Sequence, residues 1–170
     1  IIFNLIYSRL LKEAVIIDVF SLGVFYLFRI VVGTEVSDVA YSYWMISMVF
    51  LLAIFIGFMK RRQEIEYAGQ KASKLRSVLK KYNPYFIDQM ISVVTSSIVV
   101  VYMLYTISDR TIAQFGSANL IYTIPFVYYG IFRYLYLVHL GRQGEDPTTT
   151  LIRDKKMQIN IIAWLGMCVA

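Results

Sequence analysis

Residues 41 to 64 read YSYWMISMVFLLAIFIGFMKRRQE. From Tyr41 to Met59 the stretch carries no charge, and it then turns abruptly into Lys60-Arg61-Arg62-Gln63-Glu64. An uncharged apolar run of this length matches the roughly 20 residues that take a helix across a bilayer. Comparable runs extend from Ala14 to Gly33, Phe86 to Ile107 and Ala118 to His139, with shorter ones at Ile1 to Tyr7 and Met157 to Ala170. None shows the alternating pattern of an outer-membrane barrel, and each is long enough to satisfy its backbone groups as helix. The whole chain agrees: of 170 residues 58% are hydrophobic and only 16% charged, and the mean hydropathy is +0.60. A water-soluble surface cannot accommodate that composition. The expected fold is all-α, a polytopic helical bundle in the membrane. It forms a single transmembrane domain over residues 1–170 with four complete and two partial transmembrane helices. Because the first and last runs are short of a full span, the sequence reads as a fragment of a longer polypeptide. The lone Cys168 excludes a disulfide framework and a zinc cluster.

The connectors between these runs alternate in charge. Arg9 and Lys12 lie in the first. The third, a basic loop over residues 60–85, holds Lys60, Arg61, Arg62, Lys71, Lys74, Arg76, Lys80 and Lys81. Arg142, Arg153, Lys155 and Lys156 lie in the fifth, and the intervening connectors contain only Arg110. Fourteen cations against one make the odd-numbered connectors cytoplasmic. The net charge of +6 is therefore a property of one membrane face. It points to anionic lipids or a phosphorylated substrate, not to nucleic acid.

Within this frame a few residues stand out. From Lys71 to Tyr82, Leu75, Val78, Leu79 and Tyr82 recur at helical spacing among lysines, the pattern of a basic amphipathic helix on the membrane surface or beneath a cavity. Three consecutive cations at Lys60, Arg61 and Arg62 point in directions about 100° apart on a helix, so they either surround a polyanion or anchor the span by snorkelling. Glu64, four residues after Lys60, can pair with it. Asp18 lies about one turn into its span, where a carboxylate requires a wet cavity or a cation. Arg29, eleven residues on, is too distant along the helix to be that partner. Arg133 either snorkels or lines a cavity. His139 and the aromatic residues at span ends, Tyr41, Tyr43, Trp44, Tyr82 and Tyr85, suit the interface. Asp146-Pro147 has the form of a helix start.

Taken together, Tyr7-Ser8, Leu11-Lys12, Asp18, Gly23, Arg29 and Gly33 resemble the fourth-to-fifth helix segment of the UbiA superfamily of intramembrane prenyltransferases. Lys60-Arg61-Arg62-x-Glu64 stands where most of that superfamily has a second Asp-rich motif, and it is similar to the branch of the decaprenyl-phosphate phosphoribosyltransferases. So are Asp88-Gln89-Met90, Val93-Val94-Thr95-Ser96, Tyr105-Thr106, Tyr129 to Tyr134, Gly144 to Pro147 and Asp154-Lys155.

The resemblance implies the C-terminal part of a nine-helix bundle around a lipid-accessible cavity in a bacterial inner membrane. Its active side would be cytoplasmic, and its place would be in cell-envelope biosynthesis. It implies transfer of a phosphoribosyl group from magnesium-bound phosphoribosyl diphosphate to a polyprenyl phosphate. By the same resemblance Lys12, Lys60, Arg61 and Arg62 hold phosphates and Tyr7 lines the pocket. Asp18 and Glu64 are the catalytic candidates, orienting cations or supporting Mg2+, and Arg133 is a further candidate substrate contact. The first Asp-rich motif of the family, NDxxDxxxD, occurs nowhere in the 170 residues. The chain alone is therefore expected to be inactive, and the main metal ligands are not assigned within it. Two other readings remain: prenyl transfer to an aromatic acceptor, against which the missing second Asp-rich motif argues, and a transporter or scaffold subunit without catalysis.

Overall fold

The computed structural model describes residues 16–37, 42–68, 82–139 and 153–169. The described residues are mostly helical, joined by short turns, without a strand among them. In chain order they form α1 (Ile17–Ser37), α2 (Tyr43–Ala68), α3 (Pro84–Thr106), a short α4 (Asp109–Phe115), a 3-10 turn (Asn119–Thr123), α5 (Ile124–His139) and α6 (Lys155–Val169). Three of these helices are long and apolar enough to span a bilayer, over Ile17–Val36, Tyr43–Ile65 and Pro84–Thr106. The protein is an all-α, multi-pass membrane protein. Large apolar side chains such as Phe28, Val32 and Val36 on α1, or Ile159, Ile162 and Leu165 on α6, stay exposed as lipid-facing residues do.

Two boundaries depart from the sequence reading. The apolar run ending at Met59 was expected to give way to a loop, but α2 continues to Ala68. Lys, Arg, Gln and Glu are all good helix formers, so polarity ends the span without ending the helix. The run from Ala118 to His139 is not one continuous α-helix. It begins as a 3-10 turn and becomes α-helical at Ile124. Pro125, lacking an N–H and fixed in φ, suits the first turn of a helix and not its interior. The connector before this turn is itself structured. Ser108 caps α4 by accepting from the Thr111 N–H, and Gly116 closes it with φ +70.

The chain divides into two compact units, residues 1–94 and 95–170. In the first, α1 packs on α2. Val19 meets Gly57, where an added Cβ would lie 2.7 Å from the valine Cγ1, and one at Gly23 would lie 2.9 Å from the ring of Phe50. These two small residues let the helices approach closely, which is how helices associate where lipid removes the hydrophobic driving force. Phe58, Met59, Ile54, Ile87 and Ile91 fill the rest of this core.

In the second unit α5 packs on α6, with the amide of Asn160 donating to the Phe126 carbonyl at 2.9 Å. A polar relay completes it. Trp164 Nε1 donates to the Tyr102 hydroxyl at 2.9 Å, and Thr123 donates to the Leu120 carbonyl. Thr123 has a single proton, so the 2.6 Å contact between the hydroxyls of Tyr102 and Thr123 has Tyr102 as donor.

Candidate active site

The close approach of α1 and α2 brings Asp18 against the polar extension of α2. Both oxygens of its carboxylate are engaged. Asp18 Oδ2 accepts from Arg61 Nε at 2.9 Å, and Oδ1 accepts from the Tyr82 hydroxyl at 2.6 Å. Arg61 Nη1 also donates to Glu64 one helical turn further along. Asp18 and Arg61 are 0% and 1% exposed, so this is a buried ion pair. Desolvating two charges is costly, and it is offset here because each is hydrogen-bonded as well as paired. The cation that Asp18 requires is therefore Arg61, 43 residues away in sequence.

The three consecutive cations do point in three directions. Lys60 is exposed and has no ion-pair partner among the described residues. Arg61 is buried between two carboxylates. Arg62 reaches across to α3, where its Nε donates to Asp88 Oδ1 at 2.9 Å with both side chains partly exposed. The pairing of Lys60 with Glu64 that the i, i+4 spacing allows gives way to Arg61 with Glu64. Asp18 is the physical reason: its negative charge holds Arg61 on the buried face, within reach of Glu64.

The sequence pattern places Tyr82 as an interfacial aromatic on an amphipathic helix and by itself gives no sign of the part it has here. It is buried, 6% exposed, and its hydroxyl also accepts the backbone N–H of Ile16 at 2.7 Å. Burial, then the bond to the Asp18 carboxylate, pushes its phenol well above the ordinary tyrosine range, so it stays a proton donor. Ile16 has φ +71, a left-handed conformation that costs a β-branched residue about 1–3 kcal/mol. Its carbonyl accepts from Val19 and Phe20, which starts α1 at that point. The signal that could have exposed Tyr82 was the unmet demand of Asp18 for partners.

Of the other expected site residues, Tyr7 and Lys12 lie outside the described residues, as do Lys71 to Lys81 of the basic connector and Asp146-Pro147. Arg133 belongs to the second unit. It grips Asp154 with two nitrogens, Nε to Oδ1 at 3.2 Å and Nη2 to Oδ2 at 2.7 Å, while Asp154 Oδ1 also accepts the Met157 N–H at the start of α6. The guanidinium lies 5.3 Å from the Tyr136 ring centroid. Arg133 thus ties α5 to the capped end of α6.

Magnesium, implied by the resemblance, does not fit the carboxylates of this cluster. Both oxygens of Asp18 are occupied by donors, Glu64 is turned onto Arg61, and no group of three or more His, Cys, Asp or Glu converges among the described residues. Within this set the cation between Asp18 and Glu64 is a guanidinium.

No protein-family profile matches the chain. Individual proteins do. It is 27% identical over 170 residues to a decaprenyl-phosphate phosphoribosyltransferase of Mycolicibacterium smegmatis, covering 96% of the chain and 53% of that protein. Against the protein of the same name in Mycobacterium tuberculosis it is 24% identical over 163 residues, again 96% of the chain and 53% of the relative. The Corynebacterium glutamicum protein of that name is 24% identical over 156 residues, 91% of the chain and 46% of its own length. The chain spans about half the length of the curated relatives it matches. Along nearly all of its own length, this chain is a relative of proteins named decaprenyl-phosphate phosphoribosyltransferase.

Proposed function

We propose that the full-length protein transfers the phosphoribosyl group of phosphoribosyl diphosphate to a polyprenyl phosphate at the cytoplasmic face of a bacterial inner membrane. The observation that carries this reading is the similarity over 96% of the chain to a protein named for that reaction. In the transfer, a phosphate oxygen of the lipid forms a bond to the ribose anomeric carbon as the bond from that carbon to the diphosphate breaks. The departing diphosphate accumulates negative charge, and cations placed beside it lower the barrier. Lys60, exposed at the polar end of α2, and Arg62, partly exposed beside it, are the groups we assign to phosphate contact, with Lys12 as the third. Tyr7 lines the pocket, and Arg133, in the second unit, is kept as a separate candidate for substrate contact. Asp18 and Glu64 act on Arg61, holding its guanidinium in place, and anionic lipids gather at the basic connectors. No step is routed through a metal held by these residues.

The test is the full-length gene product in membranes with radiolabelled phosphoribosyl diphosphate and decaprenyl phosphate. Label extracted into organic solvent, with one diphosphate released per lipid labelled, is the expected result. Transfer only from a prenyl diphosphate to an aromatic acceptor would replace this reading with the prenyltransferase one. No diphosphate from either pair would leave a transporter or scaffold subunit.

A further inference from the structure

The phosphoribosyl-transfer reading leaves Tyr82 without a part, although its hydroxyl joins the start of α1 to the segment that precedes α3, and Asp18 carries the connection on to α2. Ile16 N–H donates to Tyr82 at 2.7 Å, Tyr82 donates to Asp18 at 2.6 Å, Arg61 donates to the other oxygen of Asp18 at 2.9 Å, and Arg61 donates again to Glu64. A phenol has one proton, and here it goes to the carboxylate while a lone pair receives the backbone. Tyr82 therefore sets two things together. It holds Ile16 in its left-handed conformation, which determines where α1 begins, and it orients Asp18, two residues further on. Asp18 is the only residue of α1 paired with Arg61, so the azimuth of α2 at its polar end follows from where that carboxylate points. Lys60 and Arg62 flank Arg61 on the same helix, so any rotation of α2 about its axis that follows Arg61 carries them with it.

We propose that Tyr82 is a positioning residue for donor binding: through Asp18 and Arg61 it fixes the direction in which Lys60 and Arg62 meet the diphosphate of phosphoribosyl diphosphate. The inference rests on the phosphoribosyl-transfer reading and adds to it a residue that touches no substrate.

The experiment is steady-state kinetics of the full-length protein with Tyr82→Phe, Asp18→Asn and the double substitution. Tyr82→Phe is expected to raise KM for phosphoribosyl diphosphate at least fivefold, with kcat and the KM for polyprenyl phosphate within twofold of wild type. In the Asp18→Asn background the same change is expected to add less than twofold, because its route to the donor is already cut. A Tyr82→Phe protein whose donor KM matches wild type, even with a lowered unfolding transition, overturns the proposal and leaves a structural tyrosine. So does a full fivefold effect in both backgrounds. If Tyr82→Phe does not accumulate, Asp18→Asn carries the test, since it keeps the side-chain shape and must itself raise the donor KM fivefold; an unchanged KM overturns the proposal. Wild type without any transfer defeats the functional reading itself, whereas active wild type with unaffected variants defeats only the part given to Tyr82.

Discussion

Replacing Arg61 by Lys separates two arginines that look equivalent in the sequence. Arg61 uses different nitrogens for different carboxylates, Nε for Asp18 on α1 and Nη1 for Glu64 on its own helix. A single ammonium on a longer, flexible stem cannot occupy both positions, so one charge-assisted bond is lost at a site that is 1% exposed. A hydrogen bond to a charged group is worth about 1.5–3 kcal/mol, and Asp18, if it is the one left short, is shut off from water, whereas Glu64 is 23% exposed. Arg61→Lys is therefore expected to cost about 2–3 kcal/mol of unfolding free energy. Arg61→Met, which leaves the buried Asp18 carboxylate without its cation, should cost about 3–5 kcal/mol. Arg62 bonds Asp88 with side chains 18% and 35% exposed, and solvent screening holds the cost of Arg62→Lys to about 1 kcal/mol or less. Unfolding of the purified chain in mixed micelles by titration with a denaturing detergent measures all three. An Arg61→Lys cost no larger than that of Arg62→Lys would refute the buried bridge and restore Arg61 as a phosphate ligand like its neighbours.

Other expectations follow from the same contacts. Asp154→Ala removes both the two-pronged partner of Arg133 and the acceptor for the Met157 N–H, so it should destabilise the second unit by about 2–3 kcal/mol, against about 1 kcal/mol for a cap alone, read by the same titration. With Cys168 replaced, cysteines placed at residues 71–81 should resist an impermeant thiol reagent outside intact cells while those at 34–40 react; the opposite pattern would invert the topology. The Tyr82 phenol is raised in the fold above its ordinary value of 10.0, so its contribution is fully present at neutral pH and declines only once the unfolded tyrosine begins to ionise. The stability difference between wild type and Tyr82→Phe should accordingly stay constant up to about pH 10 and shrink above it, as unfolding at graded pH will show.

The helices were legible because uncharged runs such as Tyr41 to Met59 have few alternatives in a membrane. Their ends were less so. The residues Lys60 to Glu64 announce the end of a span, but nothing in them announces the end of a helix, and Pro125 inside an apolar run is easily read as part of it. The site was legible as residue types and not as partners. Asp18 required a cation, yet its spacing to Arg29 excluded only that one, and Arg61 lies 43 positions away, where local periodicity has no reach. Tyr82 was hidden for a different reason. An aromatic residue near a span end has an adequate interfacial explanation, and only its contact with Ile16 and Asp18 distinguishes it from Tyr85, which is exposed.

The continuation of α2 past the apolar run bears on how this segment tolerates change in length. Connectors between membrane spans ordinarily absorb insertions and deletions, but Lys60 to Glu64 are in helix. One residue inserted after Met59 would turn every following side chain by about 100° and advance it 1.5 Å, bringing what is now Lys60 to the position that faces Asp18. Two full turns, seven residues, would restore the directions while carrying the guanidinium about 10 Å beyond the carboxylate it neutralises. In this stretch natural variation should accumulate as exchanges of one side chain for another, with single-residue gaps displaced to the connectors on either side.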